Sequence, residues 1–303
     1  MSMPIKENKN LALVSVIIPV FNAEKYIEET INSVIAQTYP HIELIVVNDG
    51  STDGSKALLE AYGDKLSLYS IKNQGVSFAR NLAIKHAQGE WIAFIDADDI
   101  WSPDKLSEQL KSLGGCEWSH TDSYYIGDGQ SGLTKRSDLS CQVGGMVFDD
   151  LVVENFITTS TVLIKQSLFL SQGGFDEDME ALEDWKLWLT LSKDHKLSFC
   201  SRPLAQYRVY DGSTSRKARK MLPIHEGLIN QVFEGEVSQR MRLLRIKSLE
   251  SSYMICSYIA EDSKDYSFSL VASLKAWRIE PMNISGIRRV AVCLLNYLGL
   301  VRR

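Results

Sequence analysis

No stretch of this 303-residue chain reaches the roughly 20 consecutive apolar residues that a membrane-spanning helix needs. The first ten residues are polar, and the first apolar run, residues 11–20, is broken by Ser15 and stopped by Pro19, so no secretory signal is visible. Cysteine is sparse. Cys116, Cys141, Cys200, Cys256 and Cys293 are far apart, odd in number and form no C-x-x-C pair. That argues against a disulfide framework or a zinc site and for small, buried, reduced thiols in a cytoplasmic protein. Positive charge is short as well: 33 Lys and Arg against 38 Asp and Glu give −5, the wrong sign for a nucleic-acid binder. The histidines (His41, His86, His120, His195, His225) are scattered without metal-ligand spacing. No G-x-G-x-x-G follows the first strand, and there is no G-x-x-x-x-G-K-[ST] and no G-x-S-x-G elbow. Dinucleotide dehydrogenases and P-loop enzymes therefore fit poorly.

What is present is an ordinary globular composition, 45% hydrophobic and 23% charged, with length for about two domains. The first hundred residues alternate strand and helix patterns. Residues 14–18 are β-branched and run into Pro19. Ile27, Ile31, Val34 and Ile35 then recur at helical spacing, with Asn22 available as N-cap and Tyr39-Pro40 as stop. Residues 43–47, 66–71 and 90–95 read as further strands, separated by a short helix to about Tyr62 and another over residues 75–87. Such alternation predicts an α/β domain: a mostly parallel sheet with right-handed crossovers and helices on both faces. Beyond Pro103 the rhythm changes to a helix ending near Leu113, shorter strands with Gly-rich turns, and a Thr-rich strand over residues 156–165. A helix holding residues 183–188 follows, then a strand over residues 206–210. From Arg216 onward the pattern is helical, with one helical hairpin over residues 253–281. The divisions expected are 11–102 for an α/β half, 103–215 for a second half of the same domain and 216–303 for a helical C-terminal region with an amphipathic tail.

Ligands of open α/β sheets bind outside the carboxyl ends of the strands. The chemistry-bearing residues fall there: Pro19, Val20 and Phe21 after the first strand, Asp49 after the second, Asn73 and Gly75 after the third, Asp96 and Asp98 after the fourth. Two carboxylates at i and i+2 let one bond a ribose hydroxyl while the other ligates Mg²⁺ or Mn²⁺ together with diphosphate oxygens and water. The competing explanation is an acidic loop capping the helix at Ser102-Pro103. Asp49, Ser51, Asp53, Gly54 and Glu60 also have EF-hand spacing, but a strand precedes them and Lys56 stands at a normally apolar position. Asp49 reads better as an acceptor for a base N–H, or as a simple turn residue.

Taken in order, Val14-Ser-Val-Ile-Ile-Pro-Val-Phe-Asn22, Asn48-Asp-Gly-Ser-Thr-Asp53, Asn73-x-Gly75 with Ala79-Arg-Asn81, and Phe94-Ile-Asp-Ala-Asp-Asp99 resemble the family-2 inverting glycosyltransferases of GT-A fold. The match continues through Gly173-Gly-Phe-Asp-Glu177 and Glu183-Asp-Trp-Lys-Leu-Trp188, over about residues 14–215. The resemblance implies a half-Rossmann fold and roles for these residues. Phe21 packs on uracil and Asp49 bonds it; Asp96 contacts ribose; Asp98 ligates Mn²⁺ or Mg²⁺; Arg80 sits near the nucleotide. Asp184, with Glu183 as the competing candidate, is the general base that activates an acceptor hydroxyl. An acidic first turn complementing the helix dipole is the plain alternative for that pair. Trp185 and Trp188 read as core. Where relatives carry a metal-ligating His, this chain has Tyr210, near Ser213 and Ser215, which puts a third protein ligand in doubt.

The resemblance implies transfer of a sugar from a nucleoside-diphosphate donor, UDP by preference, to a saccharide or lipid-linked acceptor in surface-polysaccharide synthesis. A nucleotidyltransferase would need a Gly-rich basic loop after the first strand, which Pro19-Val-Phe-Asn22 does not supply. A non-catalytic sugar- or nucleotide-binding member remains the other alternative. The tail from Ile287 to Arg303 is apolar, carries four arginines and no acidic residue, and is too short to span a bilayer. It suits either peripheral attachment to the inner face of the cell membrane or docking on the body or another subunit.

Overall fold

The computed structural model describes residues 11–300 apart from 131, 211–212 and 214–215. In chain order the elements begin β1 (Val14–Val20), α1 (Ile27–Ile35), β2 (Ile42–Asp49), α2 (Ser55–Glu60), β3 (Ser67–Ile71), α3 (Val76–His86) and β4 (Trp91–Phe94). Then come β5 (Ile100–Trp101), α4 (Lys105–Lys111), β6 (Trp118–Gly127), α5 (Phe148–Val153), β7 (Leu163–Lys165), α6 (Gln166–Ser171), α7 (Glu183–Ser192) and β8 (Leu197–Val209). Four helices follow: α8 (Ala218–Val232), α9 (Gln239–Asp262), α10 (Tyr266–Ile279) and α11 (Ile284–Tyr297). The chain divides into two compact units. The first holds residues up to 145, 157–177 and 195–208; the second holds 146–156, 178–194 and 209 onward.

The first unit is built on one eight-stranded sheet in the order β3-β2-β1-β4-β7-β6-β8-β5. β3, β2, β1 and β4 are parallel, with Val14 opposite Ile42 and Trp91. β7 then runs antiparallel to both β4 and β6, and β5 antiparallel to β8. The mixed sheet is thus a parallel nucleus extended by antiparallel strands. β1 is buried along its whole length, as its Val/Ile-rich sequence suits a central parallel strand. Strand order reverses between β1 and β4, the place where such sheets open a ligand crevice.

Two local expectations are corrected. Asn22 does not cap α1: the helix starts after Tyr26 without a side-chain cap, and Asn22 sits in the left-handed region at φ 50°. The Thr-rich segment is not one strand but a 3₁₀ turn, Thr159–Thr161, leading into the three-residue β7. There the Thr161 hydroxyl donates to the Thr158 carbonyl at 2.6 Å, so side-chain bonding competes with the ladder.

The second unit is helical. α9 and α10 form the expected hairpin around a turn at residues 263–265. Their seam is made of small side chains, Cys256, Ala260, Ala272 and Ala276. Across it, the Ser257 hydroxyl donates to the Ser269 carbonyl and the Ser269 hydroxyl to the Ser257 carbonyl, each at 2.9 Å. Buried hydroxyls are tolerated here because every one is bonded. No helix among the described residues is long and apolar enough to cross a membrane. All five cysteines are free. Cys200, Cys256 and Cys293 are buried as expected, but Cys141 is exposed and Cys116 half-buried.

Candidate active site

The exits of β1 and β2 are tied into one platform. Asn22 donates its N–H to the Ser51 hydroxyl at 3.0 Å, and its side-chain oxygen accepts from the Thr52 N–H at 2.8 Å. The Ala23 N–H donates to the Ser55 hydroxyl at 2.8 Å, the Glu24 N–H to Asp53 at 3.1 Å, and the Gly54 N–H to Glu24 at 2.6 Å. This lacing spends the polar residues of the Asn48-Asp-Gly-Ser-Thr-Asp53 turn on loop–loop bonds, a mundane reason for their types. It leaves Phe21 projecting with 52% of its surface exposed, an aromatic that no core claims. Pro19 lies inside β1, buried and opposite Val47, and presents no side chain to that surface.

Asp49, at the end of β2, is buried. Its carboxylate accepts from the Gln74 N–H at 2.8 Å and the Gly75 N–H at 2.9 Å, and so fixes the turn from β3 into α3. Gly75 itself has φ 94°. At Gly50, with φ 73°, a Cβ would stand 2.6 Å from the Asn73 nitrogen, so only glycine lets β2 pass so close to that turn. The sequence reading gave Asp49 a base contact. The geometry gives it a second job, and each carboxylate oxygen retains a further lone pair.

Asp96, Asp98 and Asp99 lie within four residues at the exit of β4, and each is compensated differently. Asp96 is partly exposed and pairs with the Arg80 guanidinium at 2.6 Å. Arg80 is itself buried on α3, with its guanidinium over the Phe175 ring at 5.2 Å. Asp99 is fully buried; it accepts from the Ser160 hydroxyl at 2.5 Å and the Arg208 N–H at 2.8 Å. Burial first, then the Asp98 and Asp96 carboxylates, push the Asp99 carboxyl well above the usual carboxylate range. Asp98 is half-buried, and its carbonyl accepts from Arg208 Nε at 2.7 Å. The loop is further pinned by the Asp96 N–H on the Ser160 hydroxyl and by the Thr30 hydroxyl on the Ala97 and Asp99 carbonyls. Ser160, Arg208 and Thr30 were given no role in the sequence reading: Ser160 and Thr30 lie in segments with no motif of their own, and in the segment 207–210 the reading turned on Tyr210, not on Arg208.

Among the described residues, no group of three or more His, Cys, Asp or Glu side chains is placed to hold a metal ion. Asp96 is engaged by arginine, Asp99 is buried and Asp98 is half-buried, an oxygen-donor set of the kind a substrate-completed Mg²⁺ or Mn²⁺ site uses. Mg²⁺ and Mn²⁺ commonly take one or two carboxylates, with diphosphate oxygens and water filling the rest. Tyr210 donates its N–H to the Ser213 hydroxyl at 3.2 Å; Ser215 lies outside the described residues.

Asp184 and Glu183 belong to the second unit, where they open α7 after Leu182 at φ 64°. Glu183 is buried, whereas Asp184 is half-buried and accepts from the Trp185 N–H at 2.6 Å. Trp185 and Trp188 are core, as expected; Trp185 Nε1 donates to the Leu151 carbonyl at 2.8 Å, fixing α7 to α5.

A parallel half-Rossmann nucleus with carboxylates at its strand exits, extended by antiparallel strands, defines a GT-A glycosyltransferase. Residues 15–161 match the family described as glycosyl transferase family 2. The chain is 34% identical over 213 residues to the putative teichuronic acid biosynthesis glycosyltransferase TuaG of Bacillus subtilis, covering 67% of this chain and 81% of that one. It is 30% identical over 238 residues to WfgD of Escherichia coli, a UDP-Glc:alpha-D-GlcNAc-diphosphoundecaprenol beta-1,3-glucosyltransferase, covering 77% and 91%. The solved structure of S. aureus TarS 1–349 in complex with UDP-GlcNAc shares the fold at TM-score 0.66 and 18% identity, over 94% of this chain and 89% of that one. The chain belongs to glycosyl transferase family 2 and is a glycosyltransferase.

Proposed function

We propose that the protein transfers a sugar from a UDP-sugar to a hydroxyl of a saccharide or lipid-linked saccharide, with inversion and with the help of a divalent cation. The observation that carries this reading is the gathering of Phe21, Asp49, Asp96 and Asp98 at the exits of three adjacent parallel strands, with Arg80 holding Asp96. Phe21 offers its exposed ring to the uracil. Asp49 offers its remaining lone pairs to the base N–H, and Asp96, oriented by Arg80, offers its second oxygen to a ribose hydroxyl. Asp98 would hold Mn²⁺ or Mg²⁺, a cation that would neutralise charge on the leaving nucleoside diphosphate.

Asp184 is the base. It takes the proton from the acceptor hydroxyl as the new bond to the anomeric carbon forms and the bond to the diphosphate oxygen breaks. One displacement inverts the centre. Half-exposed Asp184 suits that task better than buried Glu183, because the acceptor arrives from solvent. UDP as donor nucleotide is supported by the UDP-Glc named for WfgD and the UDP-GlcNAc held by TarS. A lipid-linked acceptor is supported by the diphosphoundecaprenol named for WfgD, and it suits work in the cytoplasm at the inner membrane face.

Titration calorimetry of UDP, with and without Mn²⁺, tests the site on wild type and Asp98→Ala. Metal-enhanced binding that Asp98→Ala removes supports the reading. Absence of UDP binding under every metal condition overturns it. In the same preparation Asp184→Asn should slow release of UDP from donor by about 10²–10⁴-fold while leaving UDP affinity within about twofold. An equal loss of affinity would remove Asp184 from the role of base.

A further inference from the structure

α11 is built inside out. The side it turns toward its own unit carries Gly286, Arg289 and Cys293, all buried. Arg289 is the staple. Its Nε donates to the Ser257 hydroxyl at 2.9 Å, Nη2 to the Ser269 hydroxyl at 3.3 Å, and Nη1 pairs with Glu261; its guanidinium stacks over Tyr258 at 3.8 Å. Asn296 adds a second bond to Glu261, at 2.6 Å.

The opposite side carries Ile284, Ile287, Ala291, Leu294 and Leu298, at intervals of three and four residues, with Leu295 beside them, all exposed. Ile287 is 49% exposed and Leu298 56%. A surface helix of a globular protein normally buries its apolar stripe and shows its polar one. Here the order is reversed. Trp277 and Met282, on the approach to the helix, are also exposed.

Charge decides between the two kinds of surface that could cover such a stripe. Arg288 lies at its margin and Arg278 on the approach, both exposed. From residue 281 to the end the chain carries no Asp or Glu, although its net charge is −5; of its four arginines there, Arg289 is buried against Glu261 and Arg288 is the exposed one among the described residues. A second copy laid against this stripe would face like charge, where paired helices use opposite charges at the flanks. An anionic lipid surface complements both the apolar stripe and the arginines. With 14 residues, α11 spans about 21 Å, too short to cross a bilayer and suited to lying in its interface.

We infer that the exposed face of α11 is a docking surface for an anionic bilayer, with Ile284, Ile287, Leu294 and Leu298 entering the headgroup–acyl boundary and Arg288 meeting the headgroups. The inference stands apart from the nucleotide reading, since it rests only on the second unit.

Vesicle flotation of the full chain tests it, using phosphatidylcholine vesicles with and without roughly 30% phosphatidylglycerol. Wild type should float with the anionic vesicles and much less with the neutral ones. Ile287→Asn combined with Leu294→Asn should lower the bound fraction about tenfold, and Arg288→Glu by several-fold. These positions are exposed, so all three proteins should melt together, and the variants report on the face rather than on folding. Flotation unchanged by the paired variant overturns the inference, as does wild type that floats with neither vesicle. A concentration-dependent dimer in light scattering, dissolved by the paired variant and accompanied by no flotation, also overturns it and assigns the stripe to a second copy.

Discussion

Replacing Asp49 by Asn separates two jobs that share one carboxylate. In the native structure both its oxygens accept backbone N–H groups, from Gln74 and Gly75, at 2.8 and 2.9 Å. Hydrogen bonds to a charged acceptor contribute about 1.5–3 kcal/mol each. Asparagine keeps one of them as a neutral bond and aims an amide NH₂ at the other N–H, leaving that donor unsatisfied at about 1–3 kcal/mol. Asp49 is only 3% exposed, so water does not step in and the loss is not screened. The net cost is about 3 kcal/mol. At about 2–4 °C per kcal/mol for a domain of this size, the melting midpoint should fall by about 6–12 °C. Thermal melts by circular dichroism read this directly, and a midpoint within about 2 °C of wild type would refute the bonding scheme. The same samples, titrated with UDP well below the new midpoint, address the base contact. Asp49→Asn should weaken UDP about tenfold or more, since its turn also shapes the approach to Gly75. A protein that loses stability but keeps full affinity would leave Asp49 as a turn pin alone.

Gly50→Ala forces a Cβ to 2.6 Å from the Asn73 nitrogen at φ 73°, and should cost about 2 kcal/mol or more in urea unfolding. Arg80→Gln removes the cation that orients Asp96; UDP affinity should drop about tenfold by calorimetry, and an unchanged affinity would detach the pair from the nucleotide. His120 and His225 are both held down to about 4 by burial, whereas an unfolded chain protonates histidine near 6.5. Between those values the unfolded state binds more protons, so stability is full above about pH 6.5 and falls toward pH 4, by up to about 3 kcal/mol for each residue. Denaturant midpoints at stepped pH should show that slope, and His225→Gln should flatten it; a slope untouched by the substitution would refute the assignment.

The parallel nucleus was legible because its signals are local. Short Val/Ile-rich segments mark buried parallel strands, and glycine-bearing turns punctuate them at short intervals. The carboxylates at Asp49, Asp96 and Asp98 were legible for the same reason, Asp49 ending β2 and the other two lying within four residues of the end of β4. What stayed hidden depends on distant partners. The Thr-rich stretch over residues 156–165 has strand composition, yet Ser160 is required at the β4 exit, 64 residues away from Asp96, and the chain turns there to deliver it. Asn22 looked like a cap because of its residue type, but its side chain is taken by Thr52, 30 residues on. The buried lysine of α4 was invisible too. Lys105 packs its ammonium 3.8 Å from the centre of the Trp101 ring, and burial lowers its pKa well below normal.

The acidic trio shows how electrostatics narrows a choice that sequence leaves open. Three carboxylates in four residues cannot all sit charged and uncompensated, since like charges a few ångströms apart cost several kcal/mol at a partly buried site. The fold resolves this by giving each a different environment. A buried guanidinium neutralises Asp96, full burial disfavours charge on Asp99, and half-buried Asp98 lies between them. Under the proposed reading, a cation arriving with a diphosphate meets Asp98 and draws its remaining ligands from phosphate oxygens and water. Cation binding should then be stronger with nucleotide than without it, which calorimetry of Mn²⁺ with and without UDP measures.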